Sequence, residues 1–325
     1  MKELSPQAAE DCSSFRSTNY AILMFIPLQG GPMRTLTLPI DERLAGRTVK
    51  SLLAQELRMS ESLIRRVKLR ETGILLNGVR AFTTASVQAG DVLTAETGDA
   101  PDAPRPRPMP MPLEVLFEDE DILILNKPAG LAVHQSTRDP EELTLENALA
   151  AYLPQDCIPH PVSRLDRGTT GIITFAKNGY MHELLRRMLH SSEFRREYRG
   201  IAAGAVEPPM GAVTLPIGLA DGSTYQRAVR PDGAPSRTEY ASLAQANGFT
   251  LLRLVPCTGR THQLRVHMAA LGFPLAGDWL YGMQDARIAR PALHSYELWL
   301  THPLTAEALH FIAPLPEDMA GLLQK

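Results

Sequence analysis

The residues with the most chemical promise lie between Pro161 and Lys177. There Arg164-Leu165-Asp166-Arg167-Gly168-Thr169-Thr170-Gly171 runs into Ile172-Ile173-Thr174-Phe175-Ala176. An aspartate between two arginines thus sits in a Gly/Thr loop, directly before a β-rich run that predicts a buried strand. Nearby positive charge keeps a carboxylate ionised, and an ionised carboxylate on a rigid support can act as nucleophile or base. On spacing alone, an ordinary loop salt bridge or turn is the better account of Asp166. A second block, Thr258-Gly259-Arg260-Thr261-His262-Gln263-Leu264-Arg265-Val266-His267, has a local logic of its own. Thr261 is a good N-cap, Leu264, Met268 and Leu271 share one helical face, and Gly272 with Pro274 ends the helix. A rigid helix would therefore start beside Arg260 and Arg265, although surface salt bridges alone would explain both arginines.

Arg164-Leu165-Asp166-x-x-Thr169-Thr170-Gly171 is similar to the R-L-D-x-x-T-[ST]-G signature of the RluA-type RNA pseudouridine synthases. Three further blocks match that family in the same order. Asp121-Ile122-Leu123-Ile124-Leu125-Asn126-Lys127-Pro128-Ala129-Gly130 resembles its opening strand and Lys-Pro-x-Gly turn. Arg196-Glu197-Tyr198-Arg199-Gly200, followed by Gly204, resembles its tyrosine block, and Thr258 to His267 resembles its arginine block. Two positions depart from the pattern: Ser163 stands where many relatives have histidine, and Arg196 where many have lysine.

The resemblance implies an isomerase that breaks the bond from the sugar to the base nitrogen of uridine, rotates the base and rejoins it through carbon. No cofactor is needed for that, and none is expected: there is no dinucleotide fingerprint, P-loop or metal cluster. It also implies that Asp166 is the indispensable catalytic group. Tyr198 is expected to stack on the target base and help remove the displaced proton, because a phenol combines a flat apolar face with a polar tip, although spacing alone favours a core strand residue. Arg265 is expected to pair with Asp166 through a charge-assisted hydrogen bond, and Arg260 to meet phosphate. Arg164, His262 and Lys127 are further candidate RNA contacts. His262 and His267 stand five apart without a third ligand at suitable spacing, so structural or RNA-contacting roles are expected of them and no metal site. Arg186, Arg187, Arg195, Arg196 and Arg199 could grip an RNA backbone, or form a mixed surface with Glu183, Glu193 and Glu197. The target base must be unpaired or flipped out to be reached.

Two other function classes are weighed against this one. A non-catalytic RNA-binding protein on the same scaffold would not need the aspartate, tyrosine and arginine together. A carboxylate-dependent glycosidase would need a second acid. None is evident, since Asp278 in Gly277-Asp278-Trp279 is expected to shape a turn. The expected substrate is structured RNA, ribosomal RNA favoured over transfer RNA, acted on by a monomer.

The elements that must position these groups divide the chain into four parts. Residues 1–35 form a polar leader whose apolar run, Ala21 to Leu28, suits a buried strand or an unstructured segment. Residues 36–98 read as a small domain. Thr48 caps a helix through Val49, Leu52, Leu53 and Leu57, and Ser60 caps one through Leu63, Ile64 and Val67. Strand-like runs follow around Asn77-Gly78 and Gly90-Asp91. In this order the region resembles an S-four-like, α-L-type RNA-binding domain, with Arg65 and Arg66 as candidate RNA contacts; a solvated helix face is the bland alternative. From 99 to 112 prolines recur, every second residue from Pro104, which predicts an extended, semi-rigid linker. Residues 113–325 mix strand-like and helix-like runs without a regular alternation. They are expected to form an α+β catalytic domain with a mixed, largely antiparallel sheet.

Composition bounds the rest. At 325 residues the chain holds roughly two domains. Its 44% hydrophobic and 21% charged residues are those of a soluble globular protein rather than a disordered or membrane chain. A net charge of -3 leaves any RNA contact to local basic patches. Cys12, Cys157 and Cys257 stand far apart, which points to neither disulfide framework nor cysteine zinc site and suits a reducing cytoplasm. The apolar run is too short to span a membrane and badly flanked for a signal peptide.

Overall fold

The computed structural model describes residues 35–99, 103–135, 139, 141–155, 157–282 and 284–324. The apolar run at 21–28 and Cys12 lie outside them.

The N-terminal part starts with strand β1 (Thr35–Pro39), then helices α1 (Val49–Gln55) and α2 (Glu61–Val67). Both helices start where a hydroxyl can satisfy an orphan amide: Thr48 Oγ1 accepts from Ser51 N at 3.3 Å, and Ser60 Oγ from Leu63 N at 3.3 Å. Strands β2 (Ile74–Leu76), β3 (Val79–Arg80) and β4 (Val92–Glu96) complete a sheet of order β1-β4-β2-β3. Asn77 and Gly78 both have positive φ, 52° and 78°, the backbone a two-residue hairpin turn requires. Leu52, Leu53, Leu63, Ile64, Val67 and Leu93 form the core beneath, and Tyr180 and Leu184 from the next part close it.

Residues 103–112 of the Pro-rich stretch form neither helix nor strand and are strapped down. Asn147 Nδ2 donates to the Arg107 carbonyl at 2.9 Å, and Met109 N to the Asn147 carbonyl at 3.0 Å. Arg105 Nη2 meets the carbonyls of Ala150, Leu153 and Pro154 at 3.2, 3.3 and 2.8 Å. Ala150 lies in the last turn of helix α3, whose final carbonyls have no partner within the helix, and Leu153 and Pro154 follow it directly.

The larger part runs β5 (Glu114–Glu118), β6 (Ile122–Lys127), α3 (Leu145–Tyr152), β7 (His160–Pro161), β8 (Thr170–Ala176), α4 (Gly179–Met188) and β9 (Phe194–Ala203). It continues through β10 (Met210–Val213), β11 (Ile217–Leu219), β12 (Arg227–Val229), β13 (Thr238–Ala246), β14 (Phe249–Pro256) and α5 (Gln263–Ala270). Strands β15 (Leu293–Thr301) and β16 (Ala308–Ile312) and helix α6 (Glu317–Leu323) complete it. One sheet of order β10-β13-β14-β9-β15-β8-β6-β5 carries this part, with β16 on β15 and β7 on β8; β11 and β12 make a separate hairpin. Only β8 with β15 pair in parallel among the described strands, so the mixed, largely antiparallel sheet and the α+β class expected from the sequence are found. Strand β8 is buried at every position, as the apolar run after Asp166 predicted.

Candidate active site

The loop between β7 and β8 fixes Asp166 before any partner side chain is considered. Thr169 N donates to the Asp166 carbonyl at 3.0 Å, closing a turn. Gly171, the second residue of β8, has φ +102°, and a Cβ there would collide with the Ser295 carbonyl of the parallel neighbour. Glycine is therefore required there both for backbone angle and for strand approach. Lys127 was a candidate RNA contact, and the structure corrects that role. Its side chain is only 1% exposed, and Nζ donates to the carbonyls of Pro128, Leu131 and Arg167 at 2.8, 2.8 and 3.2 Å. Burial, with help from nearby Arg290, brings its pKa down to about 8. Lys127 braces the loop.

Helix α5 delivers the arginine. Arg265 is 5% exposed, and its guanidinium is divided between two carboxylates. Nη1 donates to Asp166 Oδ2 at 3.0 Å, while Nε and Nη2 grip Asp278 Oδ2 and Oδ1 at 2.7 and 2.8 Å. Burial works against the charge of Arg265, but the bonds to Asp278 and the charge of Asp166 outweigh it, so its pKa lies above the ordinary arginine value. Asp278 is fully buried and also accepts from the amides of Leu280 and Tyr281 at 3.2 and 3.3 Å. The expected turn is there, but the same side chain also anchors Arg265. That second carboxylate was missed in the sequence; its one signal is a buried-type Gly-Asp turn thirteen residues beyond an arginine that needs more than one acceptor.

The cap expected at Thr261 falls one residue later. His262 holds the N-cap position of α5 in a left-handed conformation, φ 57°, without a side-chain cap bond. Its imidazole points elsewhere: Nδ1 lies 2.7 Å from the Tyr281 hydroxyl, and Nε2 lies 3.9 Å from Asp166 Oδ1. The Tyr281 hydroxyl accepts from Arg227 N at 2.9 Å. With a carboxylate facing Nε2, the proton belongs on that nitrogen, and Nδ1 accepts from Tyr281. Burial lowers the His262 pKa against the pull of Asp166, and Arg265 lowers it further, so the ring is neutral near pH 7.

Asp166, Tyr198, His262 and Arg265 share one cleft of about 550 Å³, to which Arg164, Arg186, Arg196 and Arg260 add positive charge. Tyr198 reaches it from β9 and is 6% exposed, so it packs in the core and lines the cleft at once. Arg260 does not pair with Asp166; its Nε donates to the Pro235 carbonyl at 3.1 Å. Ser163, like Arg196, lines the cleft, so both departures from the family pattern face the site. Of the five arginines weighed as a backbone grip, only Arg186 and Arg196 line it. Arg195 and Arg199 pair with Glu197, and Arg187 pairs with Glu183. His267 is wholly buried between Thr238 Oγ1 and the Leu215 carbonyl, at 2.9 and 2.8 Å, a structural role. Arg65 is exposed and pairs with Glu61 at 3.4 Å, whereas Arg66 Nη2 is turned onto the Gly98 carbonyl at 3.1 Å. Among the described residues no group of three or more ligating side chains could hold a metal ion.

A carboxylate held by a buried guanidinium thus lies beside an aromatic ring in an arginine-lined cleft. Residues 121–270 match the family described as RNA pseudouridylate synthase. The chain is 34% identical over 279 residues to the RNA pseudouridine synthase YjbO of Bacillus subtilis, covering 85% of this chain and 98% of the relative. It is 33% identical over 306 residues to the ribosomal large subunit pseudouridine synthase D of Escherichia coli K12, covering 89% and 93%. The solved human RNA pseudouridylate synthase domain containing 1 shares the fold, with a TM-score of 0.52 and 24% identity over 62% of this chain and 83% of that one. The chain belongs to the RNA pseudouridylate synthase family, in its RluA-type branch, and is an isomerase acting on RNA.

Proposed function

We propose that this enzyme converts specific uridines of ribosomal RNA to pseudouridine, with Asp166 as its essential catalytic group. One observation carries the reading: Arg265 holds Oδ2 of Asp166 at 3.0 Å, while Oδ1 has His262 Nε2 as its near neighbour at 3.9 Å, beyond hydrogen-bond reach. One oxygen is anchored and the other is open to the cleft. Arg265 holds the group in one orientation, which is what a carboxylate needs whether it adds to the nucleotide or removes a sugar proton. Tyr198 offers its ring to the extruded base, and such stacking offsets roughly 1–3 kcal/mol of the unstacking of a flipped nucleotide. The exposed Arg164 and Arg260 meet the flanking phosphates.

Ribosomal RNA is favoured because several relatives are named for the large ribosomal subunit, including the Escherichia coli enzyme. Residues 36–98 serve as an S-four-like RNA-binding domain that presents Arg65, with 99–112 as linker and 113–325 as catalytic domain. The enzyme works as a monomer in the cytoplasm. The test is to map pseudouridine in ribosomal RNA from cells lacking the protein, then restored with wild type or with Asp166→Asn. At least one ribosomal pseudouridine is expected to vanish and to return only with wild type. An unchanged ribosomal map, with sites lost from transfer RNA, would overturn the substrate assignment.

A further inference from the structure

Outside the cleft, the segment before β15 carries a buried arginine that the chemistry above does not use. Arg290 is 8% exposed and every guanidinium nitrogen is engaged. Nε and Nη2 grip Asp318 Oδ2 and Oδ1 at 2.7 and 2.8 Å, and Asp318 lies in helix α6 near the end of the chain. Nη1 is shared among the carbonyls of Gly168, Pro291 and Leu293 at 3.0, 3.2 and 3.2 Å.

Gly168 stands two residues after Asp166, so this contact completes a pattern. Three consecutive carbonyls of the Asp166 loop each have a donor. Thr169 N bonds that of Asp166 at 3.0 Å, Gly130 N and Lys127 Nζ bond that of Arg167 at 3.0 and 3.2 Å, and Arg290 bonds that of Gly168. The loop also rests on this segment, since a Cβ at Gly168 would lie 3.0 Å from Pro291 Cδ. The first two carbonyls are held by the loop itself and by the turn after β6. The third is held from a distant element, through the Arg290–Asp318 fork. Arg290 is not among the residues lining the cleft.

We propose that Arg290 and Asp318 are positioning residues for the isomerisation: helix α6 fixes the backbone of the Asp166 loop through them, and so sets where the open carboxylate oxygen points. The proposal rests on Asp166 being the catalytic group. Only a planar guanidinium can chelate one carboxylate and reach backbone carbonyls with its remaining nitrogen, so lysine is a poor replacement. A misplacement of about 1 Å at a reacting group is enough to lower a rate by up to ~100-fold. The effect should fall on turnover, because neither residue lines the cleft that holds Asp166.

The experiment measures kcat and KM on an RNA fragment that the wild-type enzyme modifies, with thermal melting alongside, for Arg290→Lys, Asp318→Asn, Asp318→Glu and Asp166→Asn. Arg290→Lys and Asp318→Asn are expected to lower kcat roughly tenfold with KM within about twofold of wild type. Asp318→Glu, which keeps the carboxylate fork, is expected to retain wild-type turnover. Unchanged kcat in folded Asp318→Asn, a loss shared by Asp318→Glu, or a rise in KM that accounts for the loss would overturn the proposal. Should Arg290→Lys not fold, the two Asp318 variants decide. Asp166→Asn separates the levels: if it stays active, the catalytic assignment itself fails, whereas an inactive Asp166→Asn beside fully active Asp318→Asn defeats only the positioning role.

Discussion

Arg265 is the residue on which the site's electrostatics turn, because it stands almost without solvent between two acids. Removing one partner of such a buried pair leaves a stranded charge, a loss of about 3–5 kcal/mol. Asp278→Ala is therefore expected to lower the unfolding free energy by that amount in urea titrations and to cut isomerisation with it, although Asp278 does not line the cleft. His262 gives a pH signature. Its folded pKa lies below the 6.5 of the free side chain, so the unfolded chain binds the proton first as pH falls. Its contribution to stability is full above 6.5 and declines as pH drops from 6.5 through the folded value. His262→Gln should lack that decline, and unfolding curves between about pH 7.5 and about pH 5 check it. At this scale the sequence was legible where residues cluster, in the Arg164–Gly171 and Thr258–His267 blocks. It was illegible where the fold supplies the partner. Lys127 looks like an RNA contact by type, and only the closing of the Asp166 loop over it shows that its ammonium faces three carbonyls. Nothing local to Asp278 announces that its partner lies on another element.

Elements aim these groups, and their demands are as sharp as those of the side chains. Gly171→Ala would force a methyl against the Ser295 carbonyl at a φ that L-residues avoid. A loss on the order of 3 kcal/mol is expected from thermal unfolding, because both the strand pair and the backbone angle are disturbed. On the side of β9 away from Tyr198, Glu197 is 3% exposed and ringed by Arg195, Arg199 and Arg253. Burial alone would raise its pKa, but hydrogen bonds from Arg253 and Arg195 pull it from 4.5 to about 2. The stability it contributes is present above pH 4.5 and lost as pH falls through about 2. The gap in unfolding free energy between wild type and Glu197→Gln should therefore narrow as pH drops across that window. Helices α1 and α2 and their caps could be read directly, since Thr48 and Ser60 precede clear apolar periodicity. Helix α5 was placed correctly but its cap was not, because His262 takes a left-handed backbone that residue type does not forecast. Strand β1 has only five residues, and it becomes a strand by pairing with β4.

At the scale of the whole molecule, the two parts are joined by more than a tether. Tyr180 and Leu184 of α4 enter the N-terminal core, the Tyr180 hydroxyl donates to the Leu57 carbonyl at 2.9 Å, and Arg105 ties the Pro-rich stretch to the end of α3. The proline spacing predicts an extended linker; what ties Arg105 to a helix end is a set of carbonyls contributed some forty-five residues later. Arg105→Ala should lower stability by about 1–2 kcal/mol and make 103–112 more open to thermolysin, as limited proteolysis would show. Affinity for RNA must come from local patches on a chain of net charge -3. If Arg65 meets a phosphate, Arg65→Glu weakens binding and reduces the salt slope by about 1 in filter-binding titrations. All of this scaffold surrounds one cleft that holds Asp166 and Tyr198 together. The most direct measurement incubates a modifiable RNA with wild-type protein and with Asp166→Asn, then separates the nucleosides and measures RNA binding in parallel. Pseudouridine without free uracil from the wild type, and none from a variant that still binds RNA, is the predicted result. Pseudouridine formed by Asp166→Asn at the wild-type rate would contradict it.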